Sequence, residues 1–478
     1  MLYKETELTA KFLYKKVLTA LNKWGEVNEM PKTLLEGLLL TRQKRQKTHG
    51  VTTNVQARAA TNDVILDAHS RLKQVNNIAA EIIQARFMDG KSIASLAEQK
   101  NHSQEWVNQM QRKGVKILTE ILIDQEKKLR QIYLEQNRSL LPLPYNQKLF
   151  GLEKLTEEIC EFLSDQASPP LSAIVGIGGI GKTTLCGQVV LQLAATFQFE
   201  QICWYTVQNS SRYDHRRTPE ILFDQLLSYL ANNLGLISVR NSNDIESTHY
   251  LLKRLFHELP HLIIIDNLEA PDEVDFLLPK LHSLGNPTKF ILTTRTIPHG
   301  VMHIPVFAVT QLSYSEATQL LHHSQSMMRS ENVIFSTEDI EAIYSVVGGN
   351  PLALRLVASL IRYLPLRQVL SDLQAGDSIS TDQLYRNIYW QAWRSLNEAS
   401  KIILLSLTTV GERGIAADLL YPITKLPLGE YWSALAQLGS YSLVDVKKLS
   451  ANDQHLQIHP LTASFLLNDV IQWKTNGS

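Results

Sequence analysis

Residues Gly176-Ile177-Gly178-Gly179-Ile180-Gly181-Lys182-Thr183-Thr184 set the tightest constraint on what this chain can fold into. The segment fits G-x-x-x-x-G-K-[ST] in full. It follows a β-type run, Ala173-Ile174-Val175, and precedes a helical stretch from Leu185. The glycines let the backbone curl so that successive N–H groups point inward, where a Cβ would obstruct an approaching phosphate. The helix that follows adds the positive end of its dipole. The candidate phosphate contacts are therefore Gly176, Gly178, Gly179, Gly181, Lys182, Thr183 and Thr184. Lys182 is expected to reach the β- and γ-phosphates, and the Thr183 hydroxyl to bind Mg2+.

Around this loop the chain alternates short β-rich runs with helical stretches. The runs are Ser172–Gly176, Gln201–Val207, Leu262–Asp266, Lys289–Thr293 and Ile304–Val309. Such alternation predicts an α/β core of parallel βαβ units with helices on both faces of the sheet. A phosphate loop calls for an acidic partner for the magnesium at the end of a neighbouring strand. His261-Leu262-Ile263-Ile264-Ile265-Asp266 supplies one, making Asp266 the candidate Walker B carboxylate and, with Thr183, the candidate metal pair. The next residue is Asn267, an amide where fast ATPases carry the carboxylate that orients water, so slow hydrolysis at most is expected; Glu269 is near enough in sequence to substitute. Lys289-Phe290-Ile291-Leu292-Thr293-Thr294-Arg295 ends in a cation at the sheet's C-terminal edge, where ligands of such sheets bind. Arg295 is thus a candidate γ-phosphate sensor, and Lys182, Asp266 and Arg295 are the catalytic candidates.

A chain of 478 residues exceeds one core and predicts about three or four domains. Residues 1–145 read as a mostly helical N-terminal domain, closed by the linker-like tract Leu140-Leu141-Pro142-Leu143-Pro144-Tyr145. Residues 146–309 hold the α/β core, 310–380 a helical domain, and 381–478 helices with a hairpin at Leu443–Val446 and Leu456–His459, the pattern of a winged helix. Net charge is zero, yet residues 1–145 carry 23 Lys+Arg against 15 Asp+Glu. A nucleic-acid partner, a solvated helical surface and an intramolecular dock each satisfy that asymmetry. Three widely spaced cysteines make neither a disulfide framework nor a zinc cluster. With no apolar run near the ~18 residues of a membrane span and no leader-like start, a cytoplasmic protein without membrane contact is expected.

The order and spacing of Lys182, Asp266 and Arg295 resemble the NB-ARC branch of the STAND nucleotide switches. Phe150-Gly151-Leu152-Glu153 resembles the family's opening motif, which lies against adenine, although arginine is frequent where Leu152 stands. Val347-Gly348-Gly349-Asn350-Pro351-Leu352-Ala353-Leu354 is similar to its G-x-P-L-A-L segment, which implies that Pro351 packs near the base. Ile458-His459-Pro460-Leu461 resembles the bacterial form of its Met-His-Asp motif, with Pro460 in place of the aspartate. The resemblance implies that His459 contacts the β-phosphate of bound ADP. It further implies an ADP/ATP switch in signal transduction, closed with ADP and opening or forming a homo-oligomer with ATP. The family's C-terminal sensor repeats have no counterpart after His459, so the expectation is either a separate sensor protein or a minimal or truncated form of the family's architecture.

In the basic part, Phe87-Met88-Asp89-Gly90-Lys91-Ser92 reads as a helix stop, a turn and an N-cap at Ser92. A short helix follows, then the turn Asn101-His102-Ser103 and a longer helix from Gln104. The spacing, over residues 76–122, resembles the helix-turn-helix of sigma-factor region four. That places Gln104, Glu105, Asn108, Gln109, Gln111, Arg112 and Lys113 on or near a surface able to read DNA, with Trp106 in the core. The second functional reading is therefore a DNA-binding transcription regulator whose oligomeric state the nucleotide core sets; a protein-contact module fits the same helices. The run Glu126-Lys127-Lys128-Leu129-Arg130 reads as a solvated helix face.

Overall fold

The computed structural model describes residues 9–24, 35–47, 54–142, 149–207, 218–236, 245–298, 304–327, 335–374, 381–410, 414–441, 443–448 and 454–471. The linker-like tract beyond Pro142 lies outside them. The chain divides into two compact units. One comprises Met1–Ser139 with Leu191–Ile202 and Arg254–His261, and the other comprises Leu140–Val190, Cys203–Lys253 and Leu262–Ser478.

In the first unit the helices are α1 (Ala10–Asn22), α2 (Leu39–Lys47), α3 (Asn54–Val75), α4 (Asn77–Ile83), α5 (Ile93–Lys100) and α6 (Gln104–Leu140). Their starts follow capping chemistry: Thr9, Asn76 and Ser92 each accept a first-turn N–H, and Ser103 Oγ accepts from Trp106 N at 3.2 Å. Leu13, Val17 and Leu21 of α1 pack with Ile65, Ala68 and Leu72 of α3 and with Val115, Leu118 and Leu122 of α6. Gly114 sets how close α6 comes to α4, because a Cβ there would lie 2.8 Å from Ile83 Cδ1 and 3.2 Å from Ala79 Cβ.

The helix beginning at Gln104 runs on past the helix-turn-helix-like segment to Leu140, since its apolar face keeps finding partners. The charged run within it is solvated only at Lys127 and Lys128, and the expectation of a solvated face fails at its two ends. Glu126 is fully buried, accepts the Leu39 and Leu40 N–H groups at 3.1 Å each, and pairs with Arg130 Nε at 2.9 Å. Arg130 in turn lies 4.5 Å from the Phe197 ring centroid. A second buried carboxylate, Glu200, takes Arg42 at 3.3 Å and Arg45 at 2.5 Å. Trp106 is half-buried, packed beside the small core of Ile82, Leu96, Ala97 and Val107, with its outer face stacked on His102 at 3.8 Å.

The second unit holds α7 (Glu153–Ser164), β1 (Leu171–Val175), α8 (Lys182–Thr196), β2 (Ile202–Thr206), α9 (Pro219–Asn233), α10 (Ile245–Glu258), β3 (Leu262–Asp266), α11 (Pro271–Leu284), β4 (Lys289–Thr294) and β5 (Val306–Ala308), α8, β2 and α10 being shared with the first unit at one end. Among the described residues these strands form one sheet in the order β2-β3-β4-β1-β5, and β3, β4, β1 and β5 pair in parallel. Every residue of β1, β3 and β4 is buried, as a sheet covered on both faces requires. The expected runs are found to within one or two residues, and Leu262–Asp266 is met at both ends.

Beyond the sheet come α12 (Tyr314–Met327), α13 (Thr337–Val347), α14 (Pro351–Leu360), α15 (Leu366–Gln374), α16 (Thr381–Ser395), α17 (Glu398–Leu407), β6 (Ile415–Ala416), α18 (Ala417–Thr424), α19 (Leu428–Ser440), β7 (Asp445–Lys448), β8 (Gln454–Gln457) and α20 (Pro460–Phe465). One continuous apolar cluster joins residues from Leu312 to Leu466. The hairpin pairs β7 with β8 antiparallel, two residues later than expected on the first strand and two earlier on the second, and β6 adds an edge.

Candidate functional site

The glycine-rich loop leaves the C-terminal end of β1, pinned where Gly176 N donates to Thr294 O at 3.3 Å. Gly179 (φ 70°) and Gly181 (φ 108°) hold left-handed backbone that a side chain would strain. The amides at the start of α8 have no intrahelical acceptor, as at any helix N-terminus. Lys182 Nζ donates to Gly176 O at 2.7 Å and to Ile177 O at 3.2 Å. Burial pulls its ammonium down to about 8, with Glu269 opposing the shift and Arg295 adding to it.

Asp266 is 3% exposed, and its carboxylate accepts from Thr183 Oγ1 at 3.0 and 3.2 Å and from Thr293 Oγ1 at 2.5 Å. Burial raises its pKa despite these bonds and the nearby Lys182 charge. The strand carrying Asp266 is not next to β1, as the sequence reading supposed. β4 lies between, and its Thr293 bridges the gap.

Asn267 is more than a missing carboxylate. At φ 67° it donates N–H to Thr293 Oγ1 at 2.8 Å and Nδ2–H to Val207 O at 3.3 Å, tying strand ends together. Glu269 and Arg295 pair with each other, Nε to Oε1 at 2.6 Å.

Later segments come to the same loop. A Cβ on Gly178 would lie 3.5 Å from Leu461 Cδ1 and 3.7 Å from Arg295 Cζ, and one on Gly181 would lie 3.6 Å from Leu152 Cδ1. Asn350 Nδ2 donates to Gly178 O at 3.1 Å. Pro351 follows as the first residue of α14, half-buried. His459 is half-buried and caps α20, its Nδ1 accepting from Leu461 N at 3.1 Å, which leaves the ring proton on Nε2. Burial, then Lys182 and Arg295, push its pKa down to about 4, so the ring is neutral near pH 7 and close enough to feel both cations. Phe150 packs in the apolar cluster, 5.6 Å from the His323 ring, while a Cβ on Gly151 would meet the Glu316 carboxylate at 2.6 Å.

Residues 152–331, which hold the loop, Asp266 and Arg295, match the NB-ARC domain family. The chain contains an NB-ARC domain. An Arabidopsis thaliana protein named for disease resistance is 29% identical over 242 residues, 48% of this chain and 27% of that protein. TMV resistance protein N of Nicotiana glutinosa is 24% identical over 240 residues, 49% of this chain and 20% of its own length. The chain thus spans about a quarter or less of the length of these relatives. The crystal structure of a STAND protein with a tetratricopeptide repeat sensor from Pyrococcus horikoshii aligns with 18% identity and a TM-score of 0.42, covering 69% of this chain and 43% of that one.

The NB-ARC domain's residues suit a magnesium-bound nucleoside phosphate. A buried carboxylate faces a hydroxyl at Asp266 and Thr183, a cation stands at Lys182, and the glycines keep the loop open to close approach. Thr293, Asn350, Tyr385 and Leu461 were not singled out by the sequence. Asn350 carried a signal, as an N-cap directly before a proline at the first helical position.

Proposed function

We propose that the protein is an ADP/ATP switch with slow hydrolysis at most. Lys182, Thr183, Thr184 and the loop glycines hold the phosphates. Thr183 and Asp266 hold Mg2+, whose charge would offset that of the β- and γ-phosphates. Phe150, Gly151 and Pro351 belong to the base end. Nε2–H of His459 donates to the β-phosphate, so a diphosphate touches both the loop and the C-terminal segment and favours a closed arrangement. A γ-phosphate competes with Glu269 for Arg295 and favours an open arrangement able to self-associate. Asn267, the residue after Asp266, is an amide engaged in structural bonds and supplies no carboxylate to speed water attack.

The observation that carries this reading is the approach of Leu461, bonded through its N–H to His459, to Gly178 of the glycine loop. Nucleotide released from purified protein and identified by chromatography tests it. The expected result is ADP in the parent, none with Lys182→Ala and reduced retention with His459→Ala. An empty parent that takes up no added nucleotide contradicts it.

The second reading, DNA binding set by the nucleotide core, draws on the exposure of Gln104, Glu105, Gln109, Arg112 and Lys113 after the turn at Asn101–Ser103; Asn108 and Gln111 are half-buried. Affinity for duplex DNA that rises with ATP and falls steeply with salt would favour it.

A further inference from the structure

We propose that Asn350 and Tyr385 form a latch that ties α14 and α16 to the outside of the phosphate loop and slows nucleotide release, with Tyr385 as the positioning residue. This deepens the nucleotide-binding reading above and rests on it. Tyr385 OH stands 2.6 Å from Asn350 Oδ1 and 3.2 Å from Gly178 O. A phenol has one proton, and the shorter, better contact takes it. Asn350 Oδ1 also accepts the N–H groups of Leu352 at 3.1 Å and Ala353 at 3.3 Å.

Three donors therefore converge on one oxygen, which fixes the orientation of the amide. Its NH2 end is left to donate to Gly178 O at 3.1 Å. Asn350 is 2% exposed and Tyr385 3%, so water competes poorly for these bonds.

The close approach is built into the loop. A Cβ on Gly179 would collide with the Tyr385 hydroxyl and stand 2.9 Å from Leu352 Cβ. A loop whose N–H groups turn inward on a phosphate presents carbonyls outward, and Gly178 O is the carbonyl that the latch grips. Opening the loop to release a phosphate requires that grip to break. Loop shape and helix position are thereby coupled through two residues, Asn350 and Tyr385, that belong to no phosphate-binding motif.

The test is stopped-flow dissociation of a fluorescent ADP analogue, with Mg2+, from the full chain. Asn350→Ser keeps a capping oxygen for α14 but has no amide donor. Tyr385→Phe removes the hydroxyl alone. Each is expected to speed dissociation about five- to tenfold, the worth of one buried hydrogen bond. The double variant should match the single ones, because both break one chain of bonds. A merely structural role would lower the thermal midpoint without this non-additive change in rate.

Rates within about twofold of the parent in both variants, or effects that multiply, overturn the latch. If Asn350→Ser fails to fold, Tyr385→Phe decides, since it leaves every helix cap intact. A parent that binds no analogue overturns the nucleotide reading, and the latch with it. A parent that binds, with both variants releasing at its rate, overturns the latch alone.

Discussion

Lys182 is the residue whose chemistry its surroundings change most usefully. Held near 8 by burial, its ammonium begins to lose its proton close to working pH. Phosphate binding favours the charged form, so a bound nucleotide raises that pKa, and binding takes up a proton above about pH 8. Affinity for ADP is therefore expected to hold steady from pH 6.5 to 7.5. It should then fall by up to about tenfold per unit as pH rises past 8, until the raised pKa is reached. Calorimetric titration at pH 7, 8 and 9 checks this, and a flat profile would remove Lys182 from phosphate binding. Arg295 follows another logic. Its Nε is already paired with Glu269 at 2.6 Å, so in the proposed switch a γ-phosphate has to share Arg295 with that carboxylate or displace it.

Elements were legible in proportion to how strongly one face was patterned. The buried strands β1, β3 and β4 read directly as apolar runs, and Ser92 and Ser103 announced their helices by capping chemistry. The loop and its carboxylate were visible because their residue types and order are chemically required. Pairings between distant segments left no periodic trace. Nothing near Tyr385 marks it as a partner of Gly178, and Glu126 and Arg130 looked like any charged pair on a helix. Such contacts depend on which helix lies opposite, which period and composition do not encode. Because Glu126 caps α2 and neutralises Arg130 without water, Glu126→Ala is expected to destabilise the N-terminal helices by about 3–5 kcal/mol. Urea unfolding followed by circular dichroism should show their transition at lower urea. An unchanged midpoint would mean that the pair is dispensable.

In the proposed switch the glycine loop and the His459 turn act as two jaws on one nucleotide. Among the described residues no helix is long and apolar enough to cross a membrane. Burial pushes Cys160 and Cys203 up to about 12 and raises Cys186 well above the usual thiol value, so the native thiols should ignore labelling reagents. Cysteines introduced at exposed Glu157 on α7 and exposed Leu419 on α18 can then carry spin labels for pulsed dipolar spectroscopy. With ADP and Mg2+ a single narrow distance distribution is expected. With a non-hydrolysable ATP analogue the distribution should be longer or broader, and with His459→Ala the ADP distribution should broaden as well. Identical distributions with both nucleotides, in a protein shown to bind both, would contradict the switch.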